Sequence, residues 1–162
     1  MKPNISQNIS YREATHSDTA IRFGVENTPS EEQLLNMKRL AEKVFEPLRT
    51  FCGSKSIHIS SFFRSILLNK LIGGASATSQ HCANEDAAAM DLDNDNKAEG
   101  PSNKVLFETI REMLSFDQLI LEFPDKDENP AWVHVSFKKQ GNRNQVLKSE
   151  WVDGKVIYTK IT

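Results

Sequence analysis

Cysteine is nearly absent, with Cys52 and Cys82 the only two in 162 residues. Two thiols cannot build the disulfide framework that holds small secreted domains together, so an apolar core must do so, and each thiol is expected reduced and buried. Neither sign of charge dominates: 20 Lys and Arg stand against 22 Asp and Glu. That balance argues against a dedicated nucleic-acid binder, which needs a basic footprint. No apolar run approaches the roughly 20 residues needed to cross a bilayer, so no membrane span is expected. The first ten residues carry one lysine but no apolar segment of the secretory kind, so synthesis as a soluble cytoplasmic chain is expected. Repeats and linkers are also missing. One domain over residues 1–162 is therefore expected, long enough to bury a core, with the polar residues 1–28 as a peripheral wrapping segment and the protein a monomer.

What is present is clear periodicity. Ser30 with Gln33 three residues on is a capping box, and Pro29 precedes it. Leu34, Met37, Leu40, Ala41, Val44, Phe45 and Leu48 follow at helical spacing, predicting one amphipathic helix that ends near Gly53. Alternation over 57–60 predicts a short strand. A second helix is predicted from about Ser65 through Leu71, stopped by Gly73-Gly74, where a left-handed cap is permitted. Residues 90–93 read as a strand before a polar loop, and Ser102 can cap a third helix bearing Val105, Leu106, Ile110, Met113 and Leu114. Strands are predicted over 118–122, 132–137, 147–152 and 155–160, the last two joined by Asp153-Gly154, a type I′ hairpin signal. Helices first and strands late imply an α+β domain with helices packed on a largely antiparallel sheet.

Histidine is scarce too: His16, His58, His81 and His134 are the whole supply. His81 follows a run of small residues on a loop, and His134 lies mid-strand in Trp-Val-His-Val-Ser. Asp91 enters a strand ten residues after His81. Two imidazoles and one carboxylate leave a fourth zinc position open for water, as catalytic zinc sites require. Spacing alone leaves a plainer alternative open, with His81 a loop hydrogen-bonder, His134 a half-buried strand residue and Asp91 a strand-end cap. Cys82 beside His81 points away from it in extended chain. Asp91, Asp93 and Asp95 open like a calcium loop, but Asn96 and Ser102 stand where that loop needs glycine and glutamate.

The run Ser60-Ser61-Phe62-Phe63-Arg64-Ser65, then Leu68-Asn69, Ile72-Gly73-Gly74-Ala75, Ser79-Gln80-His81 and Ala89-Met90-Asp91-Leu92-Asp93 resembles the M15 peptidases of the zinc D-Ala-D-Ala carboxypeptidase kind. Phe116 to Ile120 and Trp132 to Ser136 resemble that family's later strands, and the likeness spans roughly residues 10–147. It implies zinc held by His81, Asp91 and His134, with Arg64 binding a substrate carboxylate or carbonyl and Ser79 bonding substrate or orienting its loop. It also implies a peptide of bacterial peptidoglycan as substrate, as in a phage or prophage endolysin acting in the periplasm or cell wall after release. The loop from His81 to Asp91 is three residues longer than the family pattern, which makes Asp86 a second candidate ligand. Asp91 is preferred for its Ala-Met-Asp-Leu-Asp setting. The acidic residue common before the last histidine is missing, since Ala131 and Trp132 stand there. Glu122, at the end of the preceding strand, is the substitute general base, ahead of Glu128. Lys138, Lys139 and Arg143 form a small basic cluster, a solvated face or a contact for an anionic wall polymer.

Overall fold

The computed structural model describes residues 3–73, 78–95 and 99–161. The chain opens with two short helices, α1 (Tyr11–Thr15) and α2 (Asp18–Phe23), whose first turns are capped by the hydroxyls of Ser10 and Ser17. The N-terminal segment does more than wrap the surface, because Ile5, Ile9 and Ala14 are buried in the main core. Next comes α3 (Glu31–Leu40), which starts at the expected capping box with both reciprocal bonds of Ser30 and Gln33 formed. Its apolar stripe continues through a π-helical turn, Ala41–Phe45, into α4 (Glu46–Phe51). The predicted single helix is thus interrupted. Pro47 is the reason: it has no N–H to return to the Lys43 carbonyl, and a widened turn absorbs the mismatch.

Six strands form one sheet: β1 (Ile59–Ser61), β2 (Ala87–Leu92), β3 (Gln118–Glu122), β4 (Trp132–Lys138), β5 (Gln145–Val152) and β6 (Lys155–Lys160). Their order is β1-β2-β4-β3-β5-β6, and every pair is antiparallel except β3 with β5. Between them lie α5 (Ile66–Leu71), after β1, and α6 (Asn103–Met113), before β3. The α+β architecture with a largely antiparallel sheet is the expected one.

Boundaries differ. β2 begins at Ala87 rather than Met90, because a run of alanines carries no strand propensity and its place between β1 and β4 imposes the extended backbone. β1 covers 59–61 instead of 57–60, and β5 begins at Gln145 instead of Leu147. Asp153 and Gly154, at φ +50° and +75°, make the predicted hairpin turn. Gly73 takes the left-handed position after α5 at φ +71°. Its predicted partner Gly74 lies outside the described residues, as does Asn96 of the calcium-like run.

Strand alternation separates two faces. Met90, Leu92, Leu119, Leu121, Val133 and Val135 turn inward, packing with Met37, Leu40, Val44 and Leu48 and with Leu106, Phe107 and Ile110 of α6 in one core. The opposite parity carries Asp91, Ile120, Glu122, His134, Lys138 and Tyr158, which line a cleft of about 680 Å³. The connection from β4 to β5 has to pass the start of β3. There the Asn144 and Gln145 N–H groups donate to the carbonyls of Phe116 and Asp117.

Candidate metal centre

His81 sits in a single 3₁₀ turn, Gln80–Cys82, held from two sides. On one side the chain leaving β1 brackets it: its Nδ1 lies 2.9 Å from the Phe62 carbonyl, and the Arg64 N–H donates to the His81 carbonyl. Asn27 braces that chain in turn, donating to the Phe63 carbonyl and accepting from the Ser65 N–H. On the other side α3 grips the turn. Gln33 donates to the Cys82 carbonyl and Asn36 to that of Ala83, each at 2.9 Å. The longer loop to Asp91 is absorbed here, with Ala83, Glu85 and Asp86 all in the left-handed region at φ +52°, +53° and +61°. Non-glycine residues reach that region at a cost of about 1–2 kcal/mol each, so the clamp from α3 has strain to hold. Asp86, the rival carboxylate, is exposed and stands apart from the histidines. Cys82 is buried, its thiol pKa pushed up by burial, and it takes no part in the cluster.

The sheet brings the other two groups to His81. Asp91 and His134 are direct partners across β2 and β4. One ligand atom from each of His81, Asp91 and His134 lies within 4.8 Å of the others. Asp91 Oδ1 faces His81 Nε2 at 3.2 Å and His134 Nδ1 at 3.0 Å, while Arg64 Nη2 donates to Asp91 Oδ2 at 2.7 Å. Burial alone would raise the Asp91 pKa, but positive charge on the His81 and His134 rings opposes it and, where present, holds the carboxyl well below its usual range. For His81 burial wins, and its pKa is lowered.

These bonds test whether a metal fits. A carbonyl only accepts, so the contact with Phe62 puts the ring proton of His81 on Nδ1. Neutral His81 then presents a bare Nε2 lone pair to a carboxylate oxygen, acceptor against acceptor. Charging the ring would cure the clash, yet burial opposes the charge. A cation between the two atoms cures it without cost to the imidazole. Fixing one ring nitrogen by a carbonyl so that the other can ligate is the usual support for a metal-binding histidine.

The remaining expected residues are placed as follows. Arg64 lines the cleft, tied to Ser61 Oγ at 2.9 Å as well as to Asp91. Ser79 lines the cleft and precedes the His81 turn without capping it through its side chain. Glu122 lies on the cleft face, two positions along β3 from Ile120, the partner of His134. It is 5% exposed and accepts a hydrogen bond from the Ser149 hydroxyl. Burial chiefly raises its pKa, the Asp91 charge adding to the effect while Ser149 and His134 oppose it. Glu128 is exposed and pairs with Lys148, away from the cleft.

Several residues in and behind the cleft gave no signal in the sequence. Asp117 is wholly buried beside it, bound by Arg143 through Nε at 2.8 Å and Nη2 at 2.6 Å, by Gln80 Nε2 at 2.8 Å and by Lys138 Nζ at 3.5 Å. Burial would raise its pKa, but these donors prevail and hold it at about 2. Ser149 and Tyr158 are cross-strand partners on β5 and β6, and Tyr158 closes that side of the cleft. Only the pairing of strands reveals them.

The family model described as Peptidase M15 matches residues 7–136. No curated protein matches the chain. The matched span contains His81, Asp91, His134, Arg64, Ser79 and Glu122. It stops before Lys138, Arg143, Ser149 and Tyr158.

Proposed function

The chain belongs to the M15 peptidase family, and from that premise we propose that it is a zinc metallopeptidase hydrolysing D-amino-acid-containing peptide bonds of bacterial peptidoglycan. The observation that carries the zinc reading is the bare Nε2 of His81 set 3.2 Å from Asp91 Oδ1. It is a contact between two acceptors that a cation makes favourable. His81, Asp91 and His134 would hold the ion, which when bound polarises a scissile carbonyl and brings the pKa of water down to about 7.

The chain's own residues supply the rest. Arg64 keeps the second Asp91 oxygen occupied, which leaves Oδ1 for the ligand position and fixes its direction. Glu122 takes the proton from the attacking water. Ser149 holds its Oε2, and its raised pKa suits a base that must later return the proton to the leaving amine. A substrate peptide lies along the open face of the sheet, between the His81 turn on one side and Tyr158 on the other.

Metal content of untagged protein purified without added zinc tests this reading. Near-stoichiometric zinc, absent from His134→Ala, together with zinc-dependent release of D-alanine or of cleaved stem peptides from cell walls, is expected. No zinc after dialysis against micromolar zinc would overturn it and leave a wall-binding module on a peptidase fold.

A further inference from the structure

At the end of the cleft away from Asp91 stand two cations, Lys138 and Arg143. Both pair with Asp117, and among the described residues it is the one carboxylate either reaches. Within this cluster two cations share one carboxylate, so one of them is left able to take a second anion. Asp117 is buried, whereas the side chains of Lys138 and Arg143 are 34% and 47% exposed. Arg143 grips Asp117 through Nε and Nη2, one edge of its guanidinium. That grip fixes the plane of the fork, and the geometry suits a carboxylate arriving at the other edge. Glu85, also on the cleft wall, forms no ion pair among the described residues. Gln80, next to His81, joins this end of the cleft to the metal end through Asp117.

We propose that Lys138 and Arg143 form a carboxylate-binding subsite that selects peptides carrying an acidic group about three residues from the bond cleaved. The proposal rests on the reading of this cleft as a peptidase site. The spacing follows from β4, where His134 and Lys138 share a face four positions apart, about 13 Å at roughly 3.3 Å per residue. An extended peptide lying along the sheet has about the same rise, so a group held at Lys138 belongs to the third or fourth residue from the metal. The terminal carboxylate of a residue being released sits only one residue from the bond, too near to reach. The subsite therefore favours cutting within an acidic peptide over trimming its last residue. Both cations lie beyond residue 136, outside the span matched by the family pattern, while Asp117 and Gln80 lie within it.

The test uses six-residue alanine peptides of mixed D and L configuration, blocked at both ends. One set carries a single glutamate moved along the chain, and a second carries glutamine at the same places. Binding to metal-free protein is followed by the fluorescence of Trp132 in the cleft. Glutamate is expected to bind about tenfold more tightly than glutamine at one or two adjacent positions, the gain of a charge-assisted over a neutral contact. Lys138→Gln, which leaves the Arg143–Asp117 pair intact, should erase that preference. Arg143→Lys, which keeps the charge and loses the fork, should reduce it. Equal binding of the two sets at every position, or an undiminished preference in Lys138→Gln, overturns the subsite. Zinc-loaded protein separates the two ideas. Cleavage of both sets at equal rates would sink the subsite and leave the peptidase standing; selective binding with no cleavage would do the reverse.

Discussion

Asp91 lines one end of the cleft and Asp117 is buried beneath Lys138 and Arg143 at the other, both ringed by nitrogen. Every neighbour of Asp117 is a donor: the Arg143 fork, the Gln80 amide and the Lys138 ammonium. Around Asp91 only Arg64 is bound to donate, while His81 turns a nitrogen towards it whose proton has been assigned elsewhere, to the Phe62 carbonyl. The same residue type at similar burial thus has two meanings. A carboxylate surrounded by its own cations anchors the chain, here the crossing from β4 to β5. A carboxylate with one oxygen held by a donor and the other faced by a bare imidazole lone pair is a candidate ligand for an ion. Burial and a lowered pKa are common to both, so neither distinguishes them; the direction of each proton does.

Neutralising each aspartate should have different consequences. Asp91→Asn should lose zinc and at least about a thousandfold in kcat/KM, since the ion supplies several kcal/mol of transition-state stabilisation. Metal analysis and cleavage of purified walls measure both. Retained zinc in Asp91→Asn would mean that the ligand set is wrong. Glu122→Gln comes next, with zinc kept and kcat down by about a hundredfold or more. Because burial raises the Glu122 pKa above its ordinary 4.5, the acid limb of kcat should fall at a pH above that value, as the base is protonated. The limb should vanish in Glu122→Gln. An unchanged limb would give the proton to another group.

How far the sequence foretold this contrast depends on what each site is made of. The candidate metal cluster could be picked out because its donors are rare: four histidines in the chain, two of them set in motifs that resemble a known family. Helices α3 and α6 were legible through their apolar spacing and serine caps. β2 was visible only in part, because Ala87–Ala89 has no strand signature and is extended only by its neighbours. Asp117 was invisible as a site. Its partners lie 37, 21 and 26 residues away at Gln80, Lys138 and Arg143, and aspartate, lysine and arginine are too common for spacing to single them out. The small basic cluster was noticed as a face, but the buried carboxylate that organises it was not.

Asp117→Asn should therefore leave zinc in place and lower stability by roughly 2–3 kcal/mol, because a buried carboxylate loses its charge-assisted bonds to two half-exposed cations. Its pH dependence adds a second measure. The folded pKa of about 2 lies below the ordinary 3.8, so the folded state binds this proton more weakly than the unfolded one. The contribution is complete above pH about 4 and is lost as pH falls towards 2, amounting to roughly 2 kcal/mol. Urea unfolding of both proteins between pH 2 and pH 6 should show their difference shrinking at the acid end. A constant difference would mean that Asp117 is not ionised in the fold.

A smaller effect is expected where α3 holds the His81 turn. Asp91 is useful only while His81 keeps its ring turned towards it, and that ring rides on a turn continued by Ala83, Glu85 and Asp86 in the left-handed region. Asn36 meets this strain by donating to the Ala83 carbonyl from within α3. Asn36→Ala should cost about 1 kcal/mol or slightly more through the lost bond. It should also weaken zinc binding by roughly the 10–100-fold typical when a ligand loses its outer support, while kcat at saturating zinc stays near that of the parent. Asp117 depends on that turn only through Gln80, because Lys138 and Arg143 are aimed by β4 and by the crossing loop. If zinc affinity were unchanged while stability fell, the His81 turn would hold its own shape, and the three added residues would be a passive bulge. If both fell together, the long loop keeps the metal site only because α3 grips it.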